Sequence, residues 1–259
     1  MKKSVCIEMI YCEADFYERF SLAKKDGFEF VEFWSWEDKD LDRIKQICQG
    51  LNLKIASFSG DKEFNLIDIN EQDKYVEFIE RSIDTAKYLN CSTLVIHSNA
   101  LGENGIVVNS YKNISKEKKI INMERTLLKL KPIAEKAGVT LVLEPLNIWV
   151  DHVGNALTNT ADTVRLLEKI NSNYIKMLYD VYHMQIDEGN IITTLKNNID
   201  YIGYIHVADV PGRHEPGTGE INFSNVFKAL NEMKYNKVVG FELSPKVNSE
   251  TAVEVIKNY

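Results

Sequence analysis

Four acidic or imidazole side chains end four consecutive strand-like runs of this chain: Glu144 in VTLVLEPLN, Asp180 in YIKMLYDVYH, His206 in YIGYIHVAD and Glu242 in VVGFELSPK. Each gap between them has the length of one strand–loop–helix–loop unit. Neighbouring strands would therefore deliver the four groups to one rim at equal depth. Three carboxylates brought together there repel, and some must be protonated unless a cation joins them. A divalent cation removes the conflict. Three carboxylates and one imidazole, with room for water or substrate, suit a hard or borderline ion such as Mn²⁺, Mg²⁺ or Co²⁺. No Cys belongs to the set, which argues against a closed structural zinc site. One acidic residue at a strand end is most often a loop residue or a helix cap, but four in register need another explanation.

Polar groups are densest in YIGYIHVADVPGRHEPGTGE, Tyr201 to Glu220, where Gly212, Gly217 and Gly219 let the backbone turn tightly. The planar fork of Arg213 suits a substrate carboxylate or hydroxyls, with surface pairing to Glu215 as the plainer alternative. His183, at the entry to a helix after Asp180, suits a substrate hydrogen bond better than a ligand position. His97 ends strand four beside Ser98 and Asn99, in place for a polar contact. Asp209, His214 and Glu220 read as residues that shape the loop. Phe33, Trp34 and Trp36 end strand two at the same rim; they could wall off the site, or simply pack in the core.

The elements that must position these groups alternate without a break. Strands are expected at 5–11, 28–34, 53–58, 92–97, 140–146, 175–182, 202–208 and 238–243. Helices are expected at 16–25, 39–50, 72–88, 117–136, 161–170, 191–199, 223–233 and 251–257. Gly27 and Gly138 after helices, and Thr160 at an N-cap, support the boundaries. Strands joined by crossover helices imply a parallel sheet, and cores such as VTLVL and YIGYI are apolar on both faces. Eight such units predict a closed (β/α)8 TIM barrel, one domain over residues 1–259. No GxGxxG follows the first strand, so a dinucleotide-binding sheet loses its main support. The long loop at 99–112 follows strand four and could cover the site.

Composition bounds the function further. With 38 acidic and 31 basic residues the formal charge is −7, and no basic run carries interleaved aromatics, so no nucleic-acid partner is expected. The apolar runs are far shorter than the roughly 20 residues of a membrane helix. No membrane partner and no signal peptide are expected, and a cytoplasmic location is. Cys6, Cys12, Cys48 and Cys91 lack metal-ligand spacing and read as reduced, small core residues. The expected partner is a small-molecule substrate, with self-association into a homo-oligomer left open.

The segments VLEPLN, YDVYHMQIDEGN, HVADVPGRHEPGTGEINF and GFELSP resemble the hydroxypyruvate isomerase family, within the wider sugar isomerase/epimerase group of xylose isomerase-like barrels. The resemblance covers essentially the full length. It implies that Glu144, Asp180, His206 and Glu242 bind the metal. It also implies that Glu144 and Glu242 form an acid/base pair on opposite faces of the substrate, with His183 and Arg213 contacting it. Two positions depart from the family pattern. His206 stands where these isomerases commonly have Gln and ketose 3-epimerases of the same group have His, and FWSWED replaces an aromatic–Pro segment.

An α-hydroxy ketone bound to a cation has an acidified C–H, because the metal stabilises enediolate charge. Proton return at the neighbouring carbon converts hydroxypyruvate to 2-hydroxy-3-oxopropanoate (tartronate semialdehyde), whereas return to the same carbon from the opposite face is epimerisation. The leading expectation is the isomerase. A ketose 3-epimerase for a free ketohexose and a non-catalytic metabolite-binding barrel are the alternatives.

Overall fold

The computed structural model describes residues Met1–Tyr259. Eight parallel strands close into a barrel in sequence order: β1 (Lys2–Cys6), β2 (Phe30–Phe33), β3 (Lys54–Ser59), β4 (Thr93–Ile96), β5 (Thr140–Leu143), β6 (Ile175–Asp180), β7 (Ile202–Val207) and β8 (Val238–Phe241). Around them lie α1 (Phe16–Lys25), α2 (Leu41–Leu51), α3 (Gln72–Tyr88), α4 (Lys116–Ala137), α5 (Thr160–Ile170), α6 (Val181–Asp187), α7 (Ile191–Asn198), α8 (Phe223–Glu232) and α9 (Ser249–Lys257). The (β/α)8 expectation holds. No helix is long and apolar enough to cross a membrane.

Local chemistry explains where the expected boundaries shift. The first strand ends at Cys6 rather than Tyr11, because the Cys6 carbonyl accepts from the amides of Met9 and Ile10 and turns the chain. Asn159, not Thr160, caps α5, its side chain accepting from the Asp162 amide. Gly138 closes α4 in the left-handed conformation, as its position suggests. The strict alternation is interrupted by α6, which starts at the residue after β6. Asp180 caps it by accepting from the amides of Tyr182 and His183, so one side chain ends a strand, starts a helix and faces the barrel mouth. All four cysteines are free; Cys6, Cys48 and Cys91 are buried as expected, but Cys12 is exposed.

Two apolar regions hold the frame. The larger lies between the barrel's outer face and the helices, with Phe20, Ile79, Leu127, Leu167 and Leu230 buried against the strands. The smaller fills the barrel axis with Ala56, Val95, Val142, Leu178 and Tyr204, drawn from β3 to β7. Parallel register then sets the rim above this plug. Asp180 pairs with His206, Val207 pairs with Phe241 just before Glu242, and the Glu144 amide extends the β4–β5 ladder to the Ile96 carbonyl.

Leu178 is fully buried in the axial plug and Leu128 is exposed on α4. Leu178→Ala is expected to cost about 2–5 kcal/mol in urea unfolding and Leu128→Ala about 0.5 or less. Equal costs would contradict this placement of the core.

Candidate active site

The four strand-end residues meet. One ligand atom from each of Glu144, Asp180, His206 and Glu242 lies within 4.8 Å of the others, and all four residues are buried. Imidazole Nδ1 of His206 faces Glu144 Oε1 at 3.7 Å and Glu242 Oε2 at 3.4 Å. Glu144 Oε1, Asp180 Oδ2 and His206 Nδ1 are buried without a hydrogen-bond partner. Orphaned lone pairs pointing at one another are costly unless a cation joins them, and this donor set of three carboxylates and one imidazole fits a divalent one.

Electrostatics of the protein alone show the same crowding. Burial works to raise the Glu144 carboxyl, but the nearby imidazoles of His206 and His97 outweigh it and hold it below the usual range. Glu242 is likewise raised by burial and lowered further by Arg213 and His206, the net shift being well downward. Asp180 is pushed up to about 7, chiefly by burial and in part by the charge of Glu144, against the pull of Arg213. Burial disfavours the His206 imidazolium, yet Glu32 and Glu242 raise it well above its ordinary value. Positive charge facing the ring thus comes from His206, Arg213 and His97.

Each partner of the ring is itself held. Trp34 donates its indole N–H to Glu242 Oε1 at 2.8 Å, so this aromatic orients a carboxylate as well as walling the site. Phe33 stacks on Phe58 and also lines the cavity, whereas Trp36 bonds to Ser82 beside Phe78 and belongs to packing. Arg213 places Nη2 at 2.5 Å from Glu242 Oε2 and 3.8 Å from Asp180 Oδ2, rather than pairing with Glu215 on the surface. Its backbone sits at φ 57, a strained region for a non-glycine residue, pinned by the Ser244 amide donating to its carbonyl. His97 lines the cavity with Nε2 at 3.4 Å from Glu144 Oε2, while Asp61 takes its amide and faces Nδ1 at 2.9 Å. Burial lowers the His97 imidazolium, but Asp61 raises it to about 10.

His183 is fully buried on α6, and its tautomer follows from Asn147. Asn147 Oδ1 accepts from the amides of Val150 and Asp151, so its amide nitrogen must face His183 Nδ1, 2.7 Å away. Nδ1 is then an acceptor and the ring proton sits on Nε2, an atom without a protein partner. Burial and the nearby Arg213 charge hold this ring well below its ordinary value, in the neutral form. His152 packs 5.1 Å from it with the opposite polarity, because Nδ1 donates to the Gly105 carbonyl. Asp61, Asp151 and His152 all line the cavity and were not among the residues the sequence singled out. Asp61 follows β3 in SFSGD, the same strand-end acid signal that marks Glu144, whereas His152 lies in a loop without register.

The cavity over the ring has a volume of about 740 Å³. Leu101–Gly105 of the loop after β4 line it, so that loop does cover the site. Asp209 shapes the loop below Arg213, as expected, by accepting from the amides of Val210, Gly217, Gly219 and Ile221. His214 and Glu220 bond to Ser244 and Gln185 and take no place in the ring.

A family model described as a xylose isomerase-like TIM barrel matches residues 20–259. The chain is 27% identical to hydroxypyruvate isomerase of Escherichia coli (strain K12), over 100% of this chain and 99% of that protein. It is 31% identical to 3-dehydro-D-guloside 4-epimerase of the same organism, over 87% of this chain and 86% of that protein. Among solved structures it is similar to one titled AP endonuclease, family 2, from Brucella melitensis, with a TM-score of 0.90 and 23% identity over 100% of this chain and 98% of that one. At that identity the likeness speaks to the fold alone.

Asp209→Asn puts an NH₂ group among four amide donors. A loss of about 2 kcal/mol in local stability is expected, read as roughly thirtyfold faster hydrogen exchange at Gly217 and Gly219. Unchanged exchange there would contradict the role given to Asp209.

Proposed function

This chain belongs to the xylose isomerase-like TIM barrel family, and from that premise we propose that it is an isomerase of a short hydroxy-oxo acid, with hydroxypyruvate to 2-hydroxy-3-oxopropanoate as its leading reaction. The observation that carries this reading is the convergence of Glu144, Asp180, His206 and Glu242 on one point beneath a cavity. Full-length similarity to a hydroxypyruvate isomerase supports it.

Those four residues would hold one divalent cation, Mn²⁺, Mg²⁺ or Co²⁺ by the hardness of the donor set. When bound, such a cation polarises the substrate's carbonyl and hydroxyl oxygens and supports negative charge on them. Proton movement falls to the chain's own carboxylates. One of Glu144 and Glu242 takes a proton from the carbon bearing the hydroxyl, and the other returns one to the neighbouring carbon. In hydroxypyruvate C3 loses a proton and C2 gains one, while a second proton passes from the C3 oxygen to the C2 oxygen. The product is therefore an isomer, with no redox partner required.

Substrate contacts follow from the donors left unpaired. His183 offers Nε2–H and Arg213 offers Nε–H, both buried and without a protein partner. A carboxylate or carbonyl oxygen satisfies them. Trp34 keeps Glu242 aimed, and His97 keeps Glu144 aimed while presenting its edge to the cavity.

A ketose 3-epimerase is the second reading, and the cavity favours it. A volume of about 740 Å³ is in the range that takes ligands much larger than a three-carbon acid. His206 in place of the Gln common in hydroxypyruvate isomerases, and the similarity to a 4-epimerase, point the same way. Product analysis after incubation with hydroxypyruvate, and separately with fructose and tagatose, decides between the two. A product from hydroxypyruvate alone supports the first reading, and a 3-epimer from the ketoses alone replaces it.

Glu144→Gln and Glu242→Gln keep shape and one ligand oxygen but cannot act as a base. Each is expected to lose about 10²–10⁴-fold in kcat at saturating metal. His183→Ala and Arg213→Ala are expected to raise KM more than they lower kcat. Wild-type turnover by metal-loaded Glu242→Gln would remove Glu242 from the acid/base pair.

A further inference from the structure

A carboxylate with no assigned role lies under the ring. Glu32, in the middle of the apolar strand β2, is only 3% exposed and points into the barrel axis. Its Oε2 accepts from the hydroxyl of Tyr204 and from Ser57 Oγ at 3.4 Å. Its Oε1 has no hydrogen-bond partner but lies 3.2 Å from His206 Nε2. A buried carboxylate costs several kcal/mol in desolvation, so its persistence calls for a purpose. Packing has been arranged to admit it. A Cβ at Gly240, the register partner of His206, would lie 2.5 Å from both Glu32 oxygens, so only glycine lets the carboxylate rest across β8.

The two nitrogens of His206 therefore face different surroundings. Nδ1 looks into the ring of Glu144 and Glu242, and Nε2 looks down at Glu32. A cation in the ring can take only an imidazole nitrogen that has a free lone pair. The proton of the neutral ring must then sit on Nε2, where a carboxylate is waiting to accept it. Partners of this kind fix the tautomer, aim the ring and raise the basicity of the ligating nitrogen.

We propose that Glu32 is a positioning residue for the metal ring: it holds the proton of His206 on Nε2, so that Nδ1 is presented as a ligand lone pair, and Tyr204, Ser57 and Gly240 hold Glu32 in that place. This rests on the reading of the ring as a cation site. It also explains why a buried carboxyl group stands beside the apolar plug of the barrel axis. Glu32 also lines the cavity, but its Oε1 faces His206 Nε2, and its effect on the ring runs through that imidazole.

The test is Mn²⁺ binding by calorimetry to metal-stripped wild-type protein, Glu32→Gln and Glu32→Met, with thermal unfolding of each. Met fills the space without an acceptor and is expected to weaken Mn²⁺ binding roughly 10–100-fold. Gln keeps an acceptor oxygen, so it is expected to fall between wild type and Met. A folded Glu32→Met protein with wild-type Mn²⁺ affinity overturns the role of Glu32 and leaves the metal ring standing. A wild-type protein that binds no Mn²⁺ overturns both. Should Glu32→Met not fold, long-range ¹H–¹⁵N spectra of Mg²⁺-loaded wild-type protein decide, with His206 assigned by its absence in His206→Gln. A ring proton on Nε2 supports the proposal and a proton on Nδ1 overturns it.

Discussion

Three carboxylates buried at one barrel mouth cannot all stay ionised unless positive charge stands among them. Glu144, Asp180 and Glu242 are in that position, and much of the surrounding architecture answers it. Arg213 is held in a strained backbone conformation against Glu242 and Asp180. His206 is braced from beneath and His97 from the side, each with a carboxylate behind it. Asp180 is still pushed up to about 7, chiefly by its burial and in part by the charge of Glu144. A divalent ion has the charge to complete the balance, and the unpaired atoms of the ring are where it would attach.

Rigidity at the site comes from short polar chains rather than from long loops. Asn147 fixes His183 through one amide whose orientation is forced by two backbone N–H groups. Tyr75 bonds to Asp61, Asp61 to His97, and His97 faces Glu144, so a residue of α3 reaches the ring through three side chains. Asp209 ties four amides of one loop and so carries Arg213. Preorganisation of this sort keeps reacting groups aimed without reorganisation at the moment of proton transfer.

Much of this was legible in the sequence because a parallel barrel repeats. Strand ends at regular intervals fall at one depth, so Glu144, Asp180, His206 and Glu242 could be placed together before any side chain was seen. Residues whose role depends on direction rather than on register were harder to read. Glu32 sits inside FVEF, where its inward-facing side chain is set by the barrel's pleat and by the missing Cβ of Gly240. Trp34 looked like a wall, but its indole N–H is what meets Glu242. Helix α6 is a single capped segment too short to show a period, and its cap is the same Asp180 that belongs to the ring. Cys12 was misplaced because the chain turns at Cys6, well before the expected end of the first strand, and Thr160 because caps shift by a residue.

The central claim is that one cation-holding ring moves a proton on a small hydroxy-carbonyl substrate. Solvent isotope exchange addresses it most directly. The protein is stripped of metal, confirmed by elemental analysis, and incubated in D₂O with hydroxypyruvate, and in parallel with fructose, before and after Mn²⁺ is restored. Carbon-bound deuterium should enter at least one of these compounds only in the metal-restored sample. Exchange at full rate in the stripped protein, or none with either compound after metal is restored, would contradict the account.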